Sequence, residues 1–213
     1  MHLELTQILV CPHCGPPNGL IAFVDRMEER RIVEGRLDCP VCERRHVVRD
    51  GTVRLGELAE EGGDAAEDGG GTAGAGGEDR AATAAALLGP PEGPEILLLA
   101  GGAEPLAPAI TELRPDAAVV TFGAAPAARY PRVYPVVPAP GGPEWPHSPF
   151  RPRSFGGAVL TGTGPDLAFD VTPGLEAGAR LVVLEPGENA PADAARSLRA
   201  LAADARAWVG VRA

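Results

Sequence analysis

The sequence predicts an α/β fold in two parts: a small cysteine-bearing ribbon at the N-terminus, then a doubly wound, mostly parallel sheet. Three observations predict it. Two C-x-x-C pairs, "CPHC" and "CPVC", stand 24 residues apart among short strand-like pieces. A run of Gly and acidic residues then interrupts the chain. Beyond that run, short apolar segments alternate with Ala-rich ones, the pattern made by parallel strands joined through helices. The expected boundaries are 1–55 for the ribbon, 56–80 for a tether and 81–213 for the sheet.

In the ribbon, "LIAFVD", "RRIVEGRLDC" and "HVVRDGTVRL" read as strands. The last holds Asp50-Gly51 between two β-branched runs, a two-residue hairpin signal. From Gly56 to Arg80 the chain reads "GELAEEGGDAAEDGGGTAGAGGEDR". Nothing there buries a face, so it reads as a disordered acidic tether, with docking onto a basic partner as the alternative. "ATAAALLG" then reads as a short helix stopped by Gly89-Pro90, and "EILLLA" as a buried strand. "PLAPAITELR" is a helix with Pro at its start, "AAVVTFG" a second strand and "RVYPVV" a third. "GGAVLTG" is a strand, "PDLAFDVTPGLEAG" a helix weakened by Pro173, and "RLVVLEP" a strong strand. "PADAARSLRALAADA" reads as a helix, and "AWVGVR" closes with a strand.

Composition narrows the function. Hydrophobic residues make up 45% of the 213, enough for a core, but aromatics only 4%, so the core must be Ala, Val and Leu. All 19 basic residues are Arg, and the net charge is −10. Within 1–55, eight Arg balance eight Asp and Glu, whereas 56–80 sets one Arg against eight acids. No part is basic overall, which disfavours phosphate-driven binding of nucleic acid. No basic N-terminal start and no apolar run of spanning length is present, so a cytoplasmic location and no membrane association are expected.

The four cysteines carry the strongest chemical signal. Without an export signal, Cys11, Cys14, Cys39 and Cys42 point to a metal rather than disulfides. Zinc takes four soft ligands in a tetrahedron, and two tight knuckles on a ribbon supply them. A rubredoxin-type iron and thiol redox chemistry are the alternatives, and His13 and His46 lie near enough to substitute as ligands. Four thiolates leave no open position, so the expected Zn(2+) is structural. Its removal should unfold residues 1–55.

"ILVCPHCG" with "GRLDCPVCERRHVVRDGTVRL" resembles the zinc-ribbon activators of tRNA methyltransferases, and the similar ribbon that opens a bacterial ribosomal-RNA guanine methyltransferase. Leu9, the four Cys, Arg49, Asp50 and Gly51 carry the match. His46-Val47 stands where an aromatic-proline pair is usual, and Thr52-Val53 also departs. Further on, "SPFRPRSFGGAVLTG" and "GLEAGARLVVLEP" resemble strand entries of class I S-adenosylmethionine-dependent methyltransferases. The resemblance implies a Rossmann-like, methyltransferase-type sheet.

It also implies a donor site: a small-residue turn beside an acid after the first strand, a carboxylate ending the second, and an acid starting the fourth. Here Gly101 and Gly102 remain as the candidate cofactor-binding residues, in vestigial form. Leu98 takes the acid's place, Ala100 and Glu104 fall on flanking glycine positions, "VVTFGA" ends without a carboxylate, and Gly156 replaces an Asp. The departures together favour a degenerate domain that does not hold S-adenosylmethionine. Thr161-Gly162-Thr163-Gly164 reads as a structural turn, His147 as a solvated loop residue, and Asp166 and Asp170 as solvated on a helix. Ser148 and Ser154 lie in no nucleophile-elbow setting. No catalytic residue is assigned. Three readings follow: a non-catalytic, zinc-binding partner or adaptor of another protein, such as an active methyltransferase; an active methyltransferase on RNA or protein; and a nucleic-acid-binding ribbon using Arg26, Arg30, Arg31, Arg36, Arg44, Arg45, Arg49 and Arg54.

Overall fold

The three ribbon segments give four strands, β1 (Ile21–Glu28), β2 (Arg31–Asp38), β3 (Arg45–Arg49) and β4 (Thr52–Leu55), in an antiparallel meander. This is seen in a computed structural model that describes residues 1–56, 76–91, 93, 95–123, 130–138, 146–161, 170–186 and 197–213. Asp50 and Gly51 adopt φ of 53° and 76°. Positive φ at both centres is what a type I′ hairpin requires, and its twist matches that of the strands.

The later strands follow the predicted order. β5 (Ile96–Ala100), β6 (Ala118–Phe122), β7 (Val133–Pro138), β8 (Phe155–Thr161) and β9 (Leu175–Leu184) pair in parallel, and β11 (Ala207–Val211) runs antiparallel to β9. With β10 (Arg199–Ala203) at the margin, one sheet of eleven strands runs β1-β2-β3-β4-β7-β6-β5-β8-β9-β11-β10. From β5 the chain winds outward first through β6 and β7, then through β8 and β9. The reversal leaves a switch point between β5 and β8, where such sheets bind ligands. Mixed pairing around a parallel centre agrees with the Rossmann-like sheet that the sequence predicts. The ribbon joins it edge to edge, since β4 pairs in parallel with β7 through Val53↔Val136, Arg54↔Val137 and Leu55↔Pro138.

Alternation along each strand sorts the core into two layers. Leu97, Leu99, Val119, Val159 and Val182 meet Ala81 and Ala84 of α1 (Gly77–Leu87) and Ala107 and Ile110 of α2 (Ala107–Leu113). Leu98, Val120, Phe122, Ala158 and Leu181 face the other way, onto Met1, Leu5, Leu9, Phe150 and Phe155. Double winding would place helices on both faces. Among the described residues the two α-helices share one, and the N-terminal segment with its 3-10 turn (Leu3–Gln7) covers the other. The small side chains of α1 let it lie close to the sheet. Aromatic packing fills the opposite layer, with Phe150 edge-on to Phe122 and to Phe155 at 5.9 and 5.1 Å.

Two predicted helices are corrected. Of "PDLAFDVTPGLEAG", the described part forms a 3-10 turn (Thr172–Gly174) and the first residues of β9. Pro173 removes a backbone donor, and Gly178 takes φ 81°. Arg212 collects the carbonyls of Thr172 and Pro173 at 3.0 and 2.7 Å, and that of Leu175, holding this piece extended. Of "PADAARSLRALAADA", residues 199–203 form β10, which pairs with β11. Asp204 closes that hairpin by accepting from the backbone N–H groups of Arg206 and Ala207 at 2.7 and 2.8 Å. These two bonds, Ala207's first, hold the Asp204 carboxyl below its ordinary range. An open sheet edge has outweighed the helical propensity of Ala and Leu. Residues 165–169 and 191–196 lie outside the described residues, as does most of the tether. Its last residues already belong to α1, which starts at Gly77, with Arg80 reaching Glu185 at 3.3 Å.

At the amino edge of the sheet, Arg114 gathers the helices. It follows α2, forms a buried ion pair with Glu95, and donates to the carbonyl oxygens of Ala85 (3.0 Å) and Gly89. The ends of α1 and α2 and the entry to β5 therefore depend on one guanidinium. No helix among the described residues is long and apolar enough to cross a membrane.

Candidate metal centre

The two C-x-x-C pairs fold into matching knuckles. Gly15 donates its N–H to the Cys11 carbonyl at 2.8 Å, and Glu43 to that of Cys39 at 3.0 Å. Gly15 and Glu43 both take positive φ, 69° and 59°, which turns each loop back on its first cysteine. β2 delivers Cys39, while the segment after the 3-10 turn delivers Cys11. All four Sγ atoms come within 4.8 Å of one another. Across the pairs, Cys11 and Cys42 lie 3.7 Å apart, and Cys14 and Cys39 3.8 Å. A tetrahedron with metal–sulfur bonds of about 2.3 Å has edges of about 3.8 Å, so the set fits a tetrahedral thiophilic ion. Four cysteines held this way can bind a zinc ion.

Electrostatics within the cluster favour a cation. Burial raises the Cys11 thiol, although the N–H groups of Cys14 and His13 oppose this. Cys14 is pushed up to about 12, first by its bond with Cys42 and then by burial. Burial also acts against ionisation of Cys39. The N–H groups of Cys42 and Val41, with thiol bonds from Cys42 and Cys11, overcome it and bring Cys39 to about 7. One thiolate forms readily and suppresses its neighbours, whereas a divalent ion would allow all four to ionise.

Neither nearby histidine joins the cluster. His13 is exposed. His46 is buried on β3, and its Nδ1 accepts the Gly56 N–H at 3.0 Å. Burial, then the Arg44 charge, lowers its pKa to about 4 despite Asp38. The unfolded chain therefore protonates first as pH falls below the ordinary value near 6.5. Stability is lost through that window and levels off below about 4. Between pH 7 and 5 the native protein should lose about 2 kcal/mol through this group. His46→Asn, which keeps an acceptor but does not titrate, should flatten that part of the urea-midpoint profile.

The segment that leads into β8 packs against the first knuckle. His147 donates its N–H to the Pro12 carbonyl at 3.2 Å, Val10 donates to Pro149 at 2.9 Å, and Arg151 to Ile8 at 2.8 Å. The His147 ring lies over Gly15, where any Cβ would meet it at 2.7 Å. His147 is thus exposed yet fixed against the cysteine loop. Ser148 accepts the Phe150 N–H at 3.2 Å. Ser154 donates its own N–H to Gly174 at 2.8 Å. Asp170 is not on a helix. It caps the turn ahead of β9, accepting from the Thr172 N–H and hydroxyl at 2.9 and 2.8 Å. Asp166 and residues 162–164 fall outside the described residues.

At the carboxyl edge, Gly101 and Gly102 turn the chain with φ of 58° and 90°. Thr161, ending β8, reaches across the switch point and donates its hydroxyl to the Gly101 carbonyl at 3.1 Å. A Cβ on Gly102 would come within 2.6 Å of that hydroxyl. Leu98 is fully buried in mid-strand between Val120 and Ala158. Gly156 lies at the amino end of β8 against Glu95, so an acid there would stand at the far edge from the glycine turn. Glu104 is buried, and its carboxylate rests on Gly123, just past β6: a Cβ there would lie 2.3 Å from Oε1. The lone acid in an apolar turn was its only trace in the sequence.

Fold and site together define a Rossmann-like α/β protein that carries a four-cysteine centre on an extension of its sheet. No family model matches the chain, and no curated protein matches it. Among solved structures it is similar to a probable spermidine synthase from Corynebacterium glutamicum, at 12% identity and a TM-score of 0.35. The match covers 79% of this chain and 61% of that one, so the chain spans less than two thirds of that protein's length.

Proposed function

We propose that the protein is a zinc-binding, methyltransferase-like scaffold that does not transfer methyl groups and acts as a partner of another protein. One observation carries the reading: among the described residues, the carboxyl edge of β5 and β6 offers glycines and no exposed carboxylate, the Glu104 side chain being buried. Gly101 is engaged by Thr161, and Leu98 is sealed in the core. A sulfonium donor's ribose and amino group need anionic or strong acceptor groups there. Zn(2+), held by Cys11, Cys14, Cys39 and Cys42, supplies folding energy only, because four thiolates close its coordination.

A second reading, an active methyltransferase, has one observation in its favour. The Glu104 side chain stands beside Gly123, bringing a carboxyl group to the end of β6 from a different element. A nucleic-acid-binding ribbon is less well supported. Arg26, Arg30 and Arg36 are each within 3.1 Å of a carboxylate on their own surface. Calorimetric titration of the metal-loaded protein with S-adenosylmethionine separates the readings. The scaffold predicts no saturable heat at micromolar donor. Micromolar binding that disappears in Glu104→Ala would overturn the scaffold reading and favour the second, which methyl incorporation into RNA or protein would then establish.

A further inference from the structure

The ribbon part of the sheet has two margins, and among the described residues only one is used. β4 is taken by β7 of the same chain, whereas among the described residues β1 is the terminal strand with one edge unpaired. Of its eight residues, every one but Ala22 is exposed. Four of the exposed large hydrophobics of the described chain sit on it: Ile21 (50% exposed), Phe23 (42%), Val24 (41%) and Met27 (52%). An exposed edge strand offers its backbone N–H and C=O groups to another strand.

The side chains select the occupant, and we propose that it is a second copy of this chain, paired antiparallel along β1 about a two-fold axis between Asp25 and Arg26. In that register Asp25 faces Arg26 of the second copy, and Arg26 faces its Asp25. Val24 meets Met27, and Glu28 of the second copy arrives opposite Phe23, whose ring carries the Arg36 guanidinium at 4.3 Å. A β-bulge between Val24 and Arg26 takes Asp25 out of register with β2. Arg26 is half exposed while bound to Glu28 and Glu34, so it remains open to a further carboxylate. Residues 1–55 are neutral in a chain of net charge −10, so this face is one on which two copies approach without net repulsion. A two-fold contact between identical strands also closes on itself, whereas pairing β1 with the opposite edge strand, β10, would propagate.

Sedimentation equilibrium of the full chain under reducing conditions, at micromolar concentration, tests this. The native protein should sediment as a dimer. Asp25→Arg places like charges across the axis and should weaken association by about a hundredfold or more. The exchange Asp25→Arg with Arg26→Asp should restore it. Circular dichroism of each variant should show that the exposed substitutions leave the fold intact. A monomeric native protein, an Asp25→Arg variant that associates as tightly as the native one, or an exchange that fails to restore association would each overturn the proposal.

Discussion

Removing the metal, or replacing Cys39 with Ser, is expected to unfold the whole sheet and not the first 55 residues alone. Composition and spacing suggested a ribbon with a separate fate, but the packing joins it to the rest. Val53 pairs with Val136 in one ladder. Cys11, Cys39, Leu37 and Leu55 belong to the same buried layer as Val136, Phe150 and Leu98. Leu9 bridges Phe150, and three backbone bonds tie residues 8–12 to 147–151. Structural zinc supplies about 10–16 kcal/mol in small modules. A domain of ordinary net stability, about 5–15 kcal/mol, does not survive losing most of that. The far-ultraviolet melt of chelated protein should therefore show no cooperative transition. A retained transition with parallel-sheet content, after the metal is gone, would mean that β5–β9 stand without the ribbon.

The second large effect is expected at Arg114. Its guanidinium is almost wholly buried, with Glu95 beside it and the carbonyls of Ala85 and Gly89 as further acceptors. Arg114→Ala leaves a buried carboxylate without its countercharge, and breaking such a pair costs about 3–5 kcal/mol. Removing both charges is different. Arg114→Met with Glu95→Leu should recover much of the loss, since two apolar side chains need no partner. Urea denaturation of the single and double variants checks this. A loss below about 1 kcal/mol for Arg114→Ala would mark the pair as solvent-screened.

Local chemistry was legible in the sequence, and distant pairing was not. The knuckles follow from the C-x-x-C spacing, which acts within a few positions of the chain. The Asp50-Gly51 hairpin and the apolar runs of β5, β6 and β9 could be read for the same reason. Residues 199–203 could not, because Arg-Ala-Leu-Ala-Ala favours helix until β11 presents an edge. The β4–β7 ladder leaves no local mark, since it joins residues remote in the chain. Leu98 and Gly156 stood in the sequence where the resemblance implied acids, but the fold buries Leu98 in mid-strand and places Gly156 at the edge opposite the glycine turn. The Thr161 hydroxyl on Gly101 and the Glu104 carboxylate over Gly123 depend on three-dimensional closure.

X-ray absorption at the zinc edge of the protein as purified tests the account at its centre. One zinc per chain is expected, with four sulfur neighbours at about 2.3 Å. A shell containing nitrogen or oxygen, or a chain that folds with no metal, would contradict it.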